Sequence, residues 1–324
     1  MIKKIGLFTS GGDAPGMNAC IRAVVRTAIY HGIEIFGIER GYVGMIDNMI
    51  IPMNSHSVSN IIQRGGTILK CARSTEFMTV EGRQKAFVNL ETHGIDGLIA
   101  IGGNGTYTGG IKFYEEFGIP IIGVPGTIDN DLYGTDYTIG YDAAINTALQ
   151  AIDKIRDTAD SFDRMFFVEV MGRDAGFIAM DVGIGGGAEA IFIPEFEESI
   201  EDMVAMIKKG WGRKKTSQLI IVAEGDEHGN AFEIAEAIKK RIPDFEYRVT
   251  VLGHIQRGGS PSARDRVLAS RLGQAAVDGL IKGYNQEAVG IVNDIITYTP
   301  LAEAIGKRKE ISRDLVKLVE ILSN

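Results

Sequence analysis

Val124-Pro125-Gly126-Thr127-Ile128-Asp129-Asn130-Asp131 is the stretch from which the rest of the chain can be read. The apolar run Ile119–Val124 leads into it and predicts a buried strand. After it come Gly140-Tyr141-Asp142 and then Ile145, Leu149, Ile152 and Ile155 at helical spacing. A strand, a polar loop and a helix place the stretch at the carboxyl end of a parallel strand, where open α/β sheets take their ligands. Thr127 offers a hydroxyl, and Asp129 and Asp131 offer carboxylates. Such a set can accept a proton from an alcohol, hold a divalent metal, or divide the two tasks. Gly, Asn and Asp are also ordinary turn residues, so this stretch alone leaves both readings open.

Other strand ends extend the pattern in both directions. Residues 5–8 predict a strand ending in Thr9-Ser10-Gly11-Gly12-Asp13-Ala14-Pro15-Gly16-Met17-Asn18. A helix follows, with Ala19, Ile21, Val24, Val25 and Ala28 on its apolar side. A glycine-rich loop between strand and helix turns free backbone N–H groups toward an anion. It is not a Walker A loop, because Met17 and Asn18 stand where Lys-Ser/Thr would be. Leu98–Ile101 predicts a strand running into Gly102-Gly103-Asn104-Gly105-Thr106. Loops at Gly11, Gly103 and Gly126 alternate with helices, so they are expected on one edge of a parallel sheet, where together they favour a phosphate site. Phe166–Val170 leads to Met171-Gly172-Arg173, and Leu219–Ala223 to Glu224-Gly225. Val249–Leu252 leads to Gly253-His254-Ile255-Gln256-Arg257-Gly258-Gly259. A helix from Ser262 is expected to bury Val267, Leu268, Leu272, Ala275 and Ala276. Ile35–Ile38 predicts a short strand, and Val58–Gln63 a helix. Gly183–Ala188 has the letters of a dinucleotide fingerprint, but Ala190–Ile193 reads as a strand where that motif needs a helix.

Bulk properties narrow the function classes. At 324 residues the chain has room for two domains, and 45% hydrophobic with 23% charged residues is ordinary for a globular protein. A formal charge of −8 argues against nucleic acid as a partner. No apolar run approaches the ~18 residues of a membrane span. The opening Met1–Phe8 segment is too short in apolar residues for a signal peptide. Cys20 and Cys71 form neither a disulfide framework nor a metal spacing, which fits a reduced cytoplasmic setting. Arg22 and Arg26 share one helix face, either solvated or anion-binding. Arg73 can clamp a phosphate with its planar fork, or simply lie on the surface. The histidines contain no zinc pair.

Taken together, the 11–18, 125–131, 171–173 and 253–259 motifs resemble bacterial-type 6-phosphofructokinases over nearly the whole chain. The resemblance implies transfer of the γ-phosphoryl group of ATP to the C1 hydroxyl of fructose 6-phosphate, with Mg²⁺ as cofactor. It implies two Rossmann-like three-layer α/β/α domains with an active-site cleft between them. The larger, ATP-binding domain would take residues 1–139 and 256–305, and the smaller, sugar-phosphate domain 140–255 and 306–324. Asp129 would be the base, helped by Thr127, Arg173 and Gly12. Gly12, Tyr42, Arg73, Ser74, Gly103, Asn104, Gly105 and Thr106 match the ATP positions. Thr127, Ile128, Asp129, Asp131, Met171, Gly172, Arg173, Glu224, His254, Ile255, Gln256 and Arg257 match the sugar-phosphate positions. Arg164 and Arg248 match arginines supplied by a neighbouring subunit, which implies a homo-oligomer, in this family usually a tetramer. Arg22, Arg26, Arg156, Gly187, Ala188, Glu189, Arg213, Lys215, Thr216 and Ser217 match an interface site for ADP or phosphoenolpyruvate.

The chain departs from that pattern at several positions. Ser55 and Asn60 replace an arginine and an aspartate of the effector site, and Ser74 and Thr106 are milder changes in the ATP loops. Asn104 stands where the family has a metal-site aspartate. An amide oxygen brings Mg²⁺ no charge, although Mg²⁺ favours carboxylates and phosphates. Asn104 therefore keeps a second reading open: a catalytically weakened paralogue binding nucleotide or sugar phosphate as a regulatory subunit. Pyrophosphate-dependent relatives carry an acidic residue and a lysine in place of Gly105 and Gly126, which disfavours that third reading.

Overall fold

The short apolar runs between glycine-rich loops form the parallel strands expected of them. The computed structural model describes residues 2–162, 164–196, 199–201, 204–205, 207–208, 218–243 and 246–322. These fall into two compact units. The first comprises Met1–Ile128, Leu132–Ala143 and Arg257–Lys309, and the second Asp129–Asp131, Ala144–Gln256 and Glu310–Asn324.

A seven-stranded sheet in the order β11-β10-β5-β4-β1-β2-β3 forms the first unit. Its centre is β1 (Lys4–Thr9), β4 (Gly97–Gly102) and β5 (Ile121–Pro125), all parallel. In register, Thr9 lies beside Ile101 and Gly102 beside Pro125, so three strands end together. Each is almost wholly buried, as strands covered on both faces must be. Each then feeds a helix: α1 (Met17–Tyr30), α4 (Asn104–Phe117) and, after a longer loop, α5 (Tyr141–Phe162).

The edges of this sheet are antiparallel. On one side β3 (Ile50–Met53) runs antiparallel to β2 (Glu34–Ile38). On the other, β10 (Glu287–Val292) and β11 (Ile295–Pro300) form a hairpin. Asn293 and Asp294 at its turn have φ of 49° and 65°, both in the left-handed region that a type I′ turn requires. Between β2 and β4 lie α2 (Tyr42–Ile46) and α3 (Val80–His93).

Two local expectations are corrected. Val58–Gln63 is a run of turns, not a helix. The Asn54 side-chain oxygen accepts from the N–H groups of His56 (2.9 Å) and Ser57 (3.2 Å), a local bond that competes with helix formation. Asn60 then enters the left-handed region at φ 55°. Ser262 does cap its helix, α8 (Ala263–Ile281), but Val267 is 61% exposed. The buried stripe passes through Leu268, Leu272, Ala275 and Ala276, one residue round the helix from it.

The second unit is a four-stranded parallel sheet, β7-β8-β6-β9. Its strands are β6 (Met165–Val170), β7 (Ala190–Phe192), β8 (Gln218–Ala223) and β9 (Tyr247–Val251). Helices α6 (Phe177–Gly186), α7 (Ala231–Arg241) and α9 (Arg313–Leu322) belong to the same unit. Gly183–Gly186 closes α6 instead of opening a helix, so the discounted dinucleotide reading stays discounted. Among the described residues no helix is long and apolar enough to cross a membrane.

Candidate active site

The first unit gathers three loops at the carboxyl edge of β1, β4 and β5. The Ser10 N–H donates to the Ile101 carbonyl (3.0 Å) and the Gly126 N–H to the Gly102 carbonyl (3.0 Å), so the loops stay bonded after the strands end. A Cβ placed on Gly103 would lie 3.6 Å from the Thr127 Cβ. One placed on Gly12 would lie 2.5 Å from an Arg257 guanidinium nitrogen, and that guanidinium donates to the Asp13 carbonyl at 3.3 Å. The Arg257 guanidinium thus occupies the space over Gly12 that a side chain there would need. Gly105 has open space around it, whereas a Cβ on Gly126 would meet Ile101 at 2.8 Å and Met17 at 3.1 Å. Thr106, buried in the first turn of α4, has a side-chain hydroxyl with no hydrogen-bond partner in this structure.

Thr127 and Asp129 are each 7% exposed, and Asn130 between Asp129 and Asp131 has φ 54°. Thr127 is pinned through its backbone, whose carbonyl accepts from the Thr138 hydroxyl at 2.6 Å. A largely buried carboxylate is the kind of group from which catalytic acids and bases are drawn.

Tyr42, Ser74 and Asn18 support the loops through their side chains. Tyr42 is buried, stacks on Phe77 with ring centroids 3.9 Å apart, and donates its hydroxyl to the Thr106 carbonyl at 2.5 Å. Burial drives its phenol pKa upward, so it stays a neutral donor. Its hydroxyl is therefore spent on α4 rather than presented to a ligand. The Ser74 hydroxyl likewise accepts from the Phe77 N–H (3.1 Å), whereas Arg73 is exposed. Asn18, buried to 1%, donates to the carbonyls of Arg64 and Gly65 (both 3.1 Å) and accepts from the Ile68 N–H (2.8 Å). It organises the 64–68 loop, a role the sequence did not disclose.

Within the second unit, β6, β8 and β9 bring Met171–Arg173, Glu224 and Gly253–Gln256 to their carboxyl edge. The Glu224 carboxylate accepts from the Arg173 N–H at 2.8 Å. Arg173 has φ 58°, an uncommon conformation for a non-glycine residue, and its guanidinium lies 3.4 Å from Asp174 in an exposed pair. A Cβ on Gly225 would collide with the Arg173 carbonyl, so glycine is required there. His254 and Ile255 are exposed, while Gln256 is buried and donates to the Gly253 carbonyl (3.1 Å).

Arg164 and Arg248 sit at the opposite edge. Arg164 precedes β6 and pairs with Glu246 (3.2 Å), and Arg248 is near the start of β9. About 17 Å of strand, at ~3.3 Å per residue, separates the Arg164 end of β6 from the Gly172 end. Arg156, Gly187, Ala188 and Glu189 belong to that same amino edge. An Arg156 guanidinium N–H donates to the Gly187 carbonyl, and the Glu189 carboxylate accepts from the Leu219 N–H (2.6 Å) at the start of β8. Arg22 and Arg26 share a face of α1 in the first unit, with Arg26 the more exposed. Arg213, Lys215, Thr216 and Ser217 lie outside the described residues.

A profile described as PFK, Phosphofructokinase, matches residues 4–280. The chain belongs to the phosphofructokinase family. The ATP-dependent 6-phosphofructokinase of Cytophaga hutchinsonii is 58% identical over 322 residues, covering 99% of this chain and 98% of that one. ATP-dependent 6-phosphofructokinase 1 of Thermus thermophilus is 56% identical over 322 residues, covering 99% and 100%. Among solved structures, phosphofructokinase from Saccharomyces cerevisiae superposes with a TM-score of 0.89 at 34% identity. The match covers 99% of this chain and 47% of the yeast chain, so this chain spans about half the yeast length. A pyrophosphate-dependent phosphofructokinase from Marinobacter aquaeolei shares the fold at TM-score 0.83 and 24% identity, covering 99% and 91%. The resemblance and the α/β fold class read from the sequence are both borne out.

Phosphoryl transfer in this family calls for a divalent metal. Among the described residues no cluster of three or more His, Cys, Asp or Glu side chains could cage one. A metal carried mainly on substrate phosphates needs only one or two protein oxygens, and Asn104, first residue of α4 at this loop edge, has an amide oxygen.

Proposed function

We infer that the protein is an ATP-dependent 6-phosphofructokinase, transferring the γ-phosphoryl group of ATP to the C1 hydroxyl of fructose 6-phosphate in glycolysis. One observation carries this reading: Thr127 and Asp129 are buried in the loop that leaves β5, and Thr127 lies against Gly103 in the glycine-rich turn at the end of β4. Glycine loops suit a polyphosphate, and a buried carboxylate suits an alcohol.

In the proposed reaction the Asp129 carboxylate accepts the C1 hydroxyl proton as that oxygen bonds to the γ-phosphorus. The bond from that phosphorus to the β,γ-bridging oxygen breaks, and ADP leaves. Thr127, Arg173 and the Gly12 N–H offset charge on the moving group. Asn104 would meet Mg²⁺ on the ATP phosphates, and the metal supplies further neutralisation of phosphate charge. On this reading the first unit takes the nucleotide, through Arg73, Ser74 and the 103–106 turn, and the second takes the sugar phosphate, through Asp131, Met171, Glu224 and His254.

Arg164 and Arg248 lie at the wrong sheet edge to serve that pocket in their own chain. Their proposed role is to complete a neighbouring copy's pocket, which supports a homo-oligomer, with a tetramer as the assembly. The Arg156–Glu189 group, with Arg22 and Arg26, is the proposed binding site for ADP or phosphoenolpyruvate. A cytoplasmic location follows from the substrates.

Gly105 and Gly126 favour ATP as donor, because pyrophosphate-dependent relatives carry an acidic residue and a lysine at these positions. Kinase names on relatives more than half identical weigh against the weakened-subunit reading. A coupled assay with Mg²⁺, fructose 6-phosphate and either ATP or pyrophosphate tests all three. Turnover with ATP alone is the expected result; turnover with pyrophosphate, or none with either donor, refutes the assignment.

A further inference from the structure

Asp265 is 1% exposed, and both its carboxylate oxygens are engaged with distant backbone. One accepts from the Gly140 N–H and the other from the Ala143 N–H, each at 2.8 Å, across 125 and 122 residues of sequence. The Ser262 hydroxyl lies 3.2 Å from the second oxygen and also caps the Asp265 N–H at 3.1 Å. One side chain therefore sits in the first turn of α8 and at the entrance of α5, where two helix N-termini favour its charge. Burial raises its pKa to about 6, so near neutral pH it is the ionised, acceptor-only form that two N–H donors require.

What Asp265 grips is the limb that returns from the 127–131 stretch. Just before Gly140, the Ile139 N–H donates to the Pro125 carbonyl (2.8 Å) and Ile139 forms a bridge with Gly126. The Thr138 hydroxyl donates to the Thr127 carbonyl at 2.6 Å, and Thr138 is fully buried. The limb has little freedom on its other side. A Cβ on Gly140 would meet Ala14 at 2.6 Å, and one on Gly16 would meet Ile139 at 2.7 Å. The glycine loop after β1, the returning limb and the start of α8 thus cross at one point.

We propose that Asp265 is a positioning residue for phosphoryl transfer: it fixes the returning limb, and through Thr138 and Ile139 it sets the Pro125–Thr127 backbone that leads into Asp129. Asp265 touches no substrate in this scheme. The inference rests on the kinase reading above. Misplacement of reacting groups by about 1 Å can cost about 100-fold in rate, so the effect belongs in kcat rather than in KM.

Asp265→Asn keeps the volume and one acceptor but turns an amide N–H against a backbone N–H. We expect kcat to fall at least ~10-fold, with KM for ATP and fructose 6-phosphate within ~3-fold of wild type. Thr138→Val should lower kcat similarly, and Thr138→Ser, which keeps the hydroxyl, should restore most of it. The Asp265→Asn/Thr138→Val double variant should be little worse than the weaker single variant, because both cut one lever; independent effects would multiply. Multiplying effects, a KM change at constant kcat, or Thr138→Ser as slow as Thr138→Val would overturn the proposal. Should Asp265→Asn not fold, Ser262→Ala replaces it in the same cycle under the same criteria. A wild type inactive on ATP and fructose 6-phosphate sinks the kinase reading; an active wild type with unmoved variants sinks only this inference.

Discussion

Arg83 ties three parts of the first unit together, and removing its guanidinium gives a sharp test of that framework. From α3, it meets the Glu116 carboxylate near the end of α4 with two bonds, 2.7 and 2.6 Å. Its remaining nitrogen donates to the carbonyls of Phe77 (2.9 Å) and Met78 (2.8 Å). The Arg83 side chain is 6% exposed and that of Glu116 30%. Arg83→Met keeps the apolar stem but strands a carboxylate and two carbonyls. Breaking a buried pair costs ~3–5 kcal/mol; partial exposure lets Glu116 rehydrate, so we expect about 3 kcal/mol. At ~2–4 °C per kcal/mol for a unit of this size, the melting transition should fall by about 6–12 °C. Hydrogen bonds from Arg83 hold the Glu116 pKa below the usual glutamate range. That stabilisation is present above the unfolded glutamate pKa and is lost as pH drops through the depressed folded value. The gap between wild type and variant should therefore narrow in acid. Phe77 packs on Tyr42 and holds the Ser74 hydroxyl, so KM for ATP should rise in parallel. The assay is urea unfolding at neutral and acid pH, beside initial rates at varied ATP. Arg83→Met/Glu116→Leu should recover part of the stability, because an apolar replacement of both partners leaves no stranded charge, only the two carbonyls. A loss below 1 kcal/mol, a pH-independent gap, or a double variant as unstable as the single one would refute the reasoning.

Three further outcomes follow from the proposed site. Asp129→Ser should lower kcat at least ~100-fold, the low end for a lost general base, with sugar-phosphate affinity nearly unchanged; near-normal turnover removes Asp129 from the chemistry. Arg164→Ala and Arg248→Ala should each raise KM for fructose 6-phosphate by roughly ten- to a hundred-fold, from a lost charge-assisted contact of ~1.5–3 kcal/mol, and leave KM for ATP alone. Mixing either variant with the catalytically dead Asp129→Ser should regenerate some normal pockets if the arginines act across subunits, and none if they do not. Asn104→Asp should saturate at lower Mg²⁺ than wild type in a titration at saturating substrates; coincident curves would mean that the amide serves as well as the carboxylate.

Local pattern carried the order of elements a long way. The apolar runs at 5–8, 98–101 and 166–170 became strands β1, β4 and β6, because residues covered on both faces of a parallel sheet must be apolar and lie together in sequence. The glycine loops at their ends were legible for the same reason. Where side chains bonded to nearby backbone, pattern misled: Asn54 and the left-handed Asn60 turned the expected 58–63 helix into turns. The hairpin of β10 and β11 escaped a reading that sought buried apolar runs, since its second strand keeps an exposed isoleucine and interior threonines.

The family motifs identified the candidate residues, and the sheet order determined which of them can meet. Arg164 and Arg173 are close in sequence yet stand at opposite ends of β6, while Thr9 and Ile101 are neighbours in register. The structural roles of Asn18, Arg83 and Asp265 gave no signal. Each is a polar residue on a helix whose distant partners lie 46–50 residues away for Asn18, 33 for the Arg83–Glu116 pair, and 122–125 for the backbone N–H groups held by Asp265. A sequence written in order encodes the hydrophobic period of each segment, because that period is set by backbone geometry. It does not encode which backbone N–H a buried carboxylate will reach, because that depends on the packing of segments that only folding brings together.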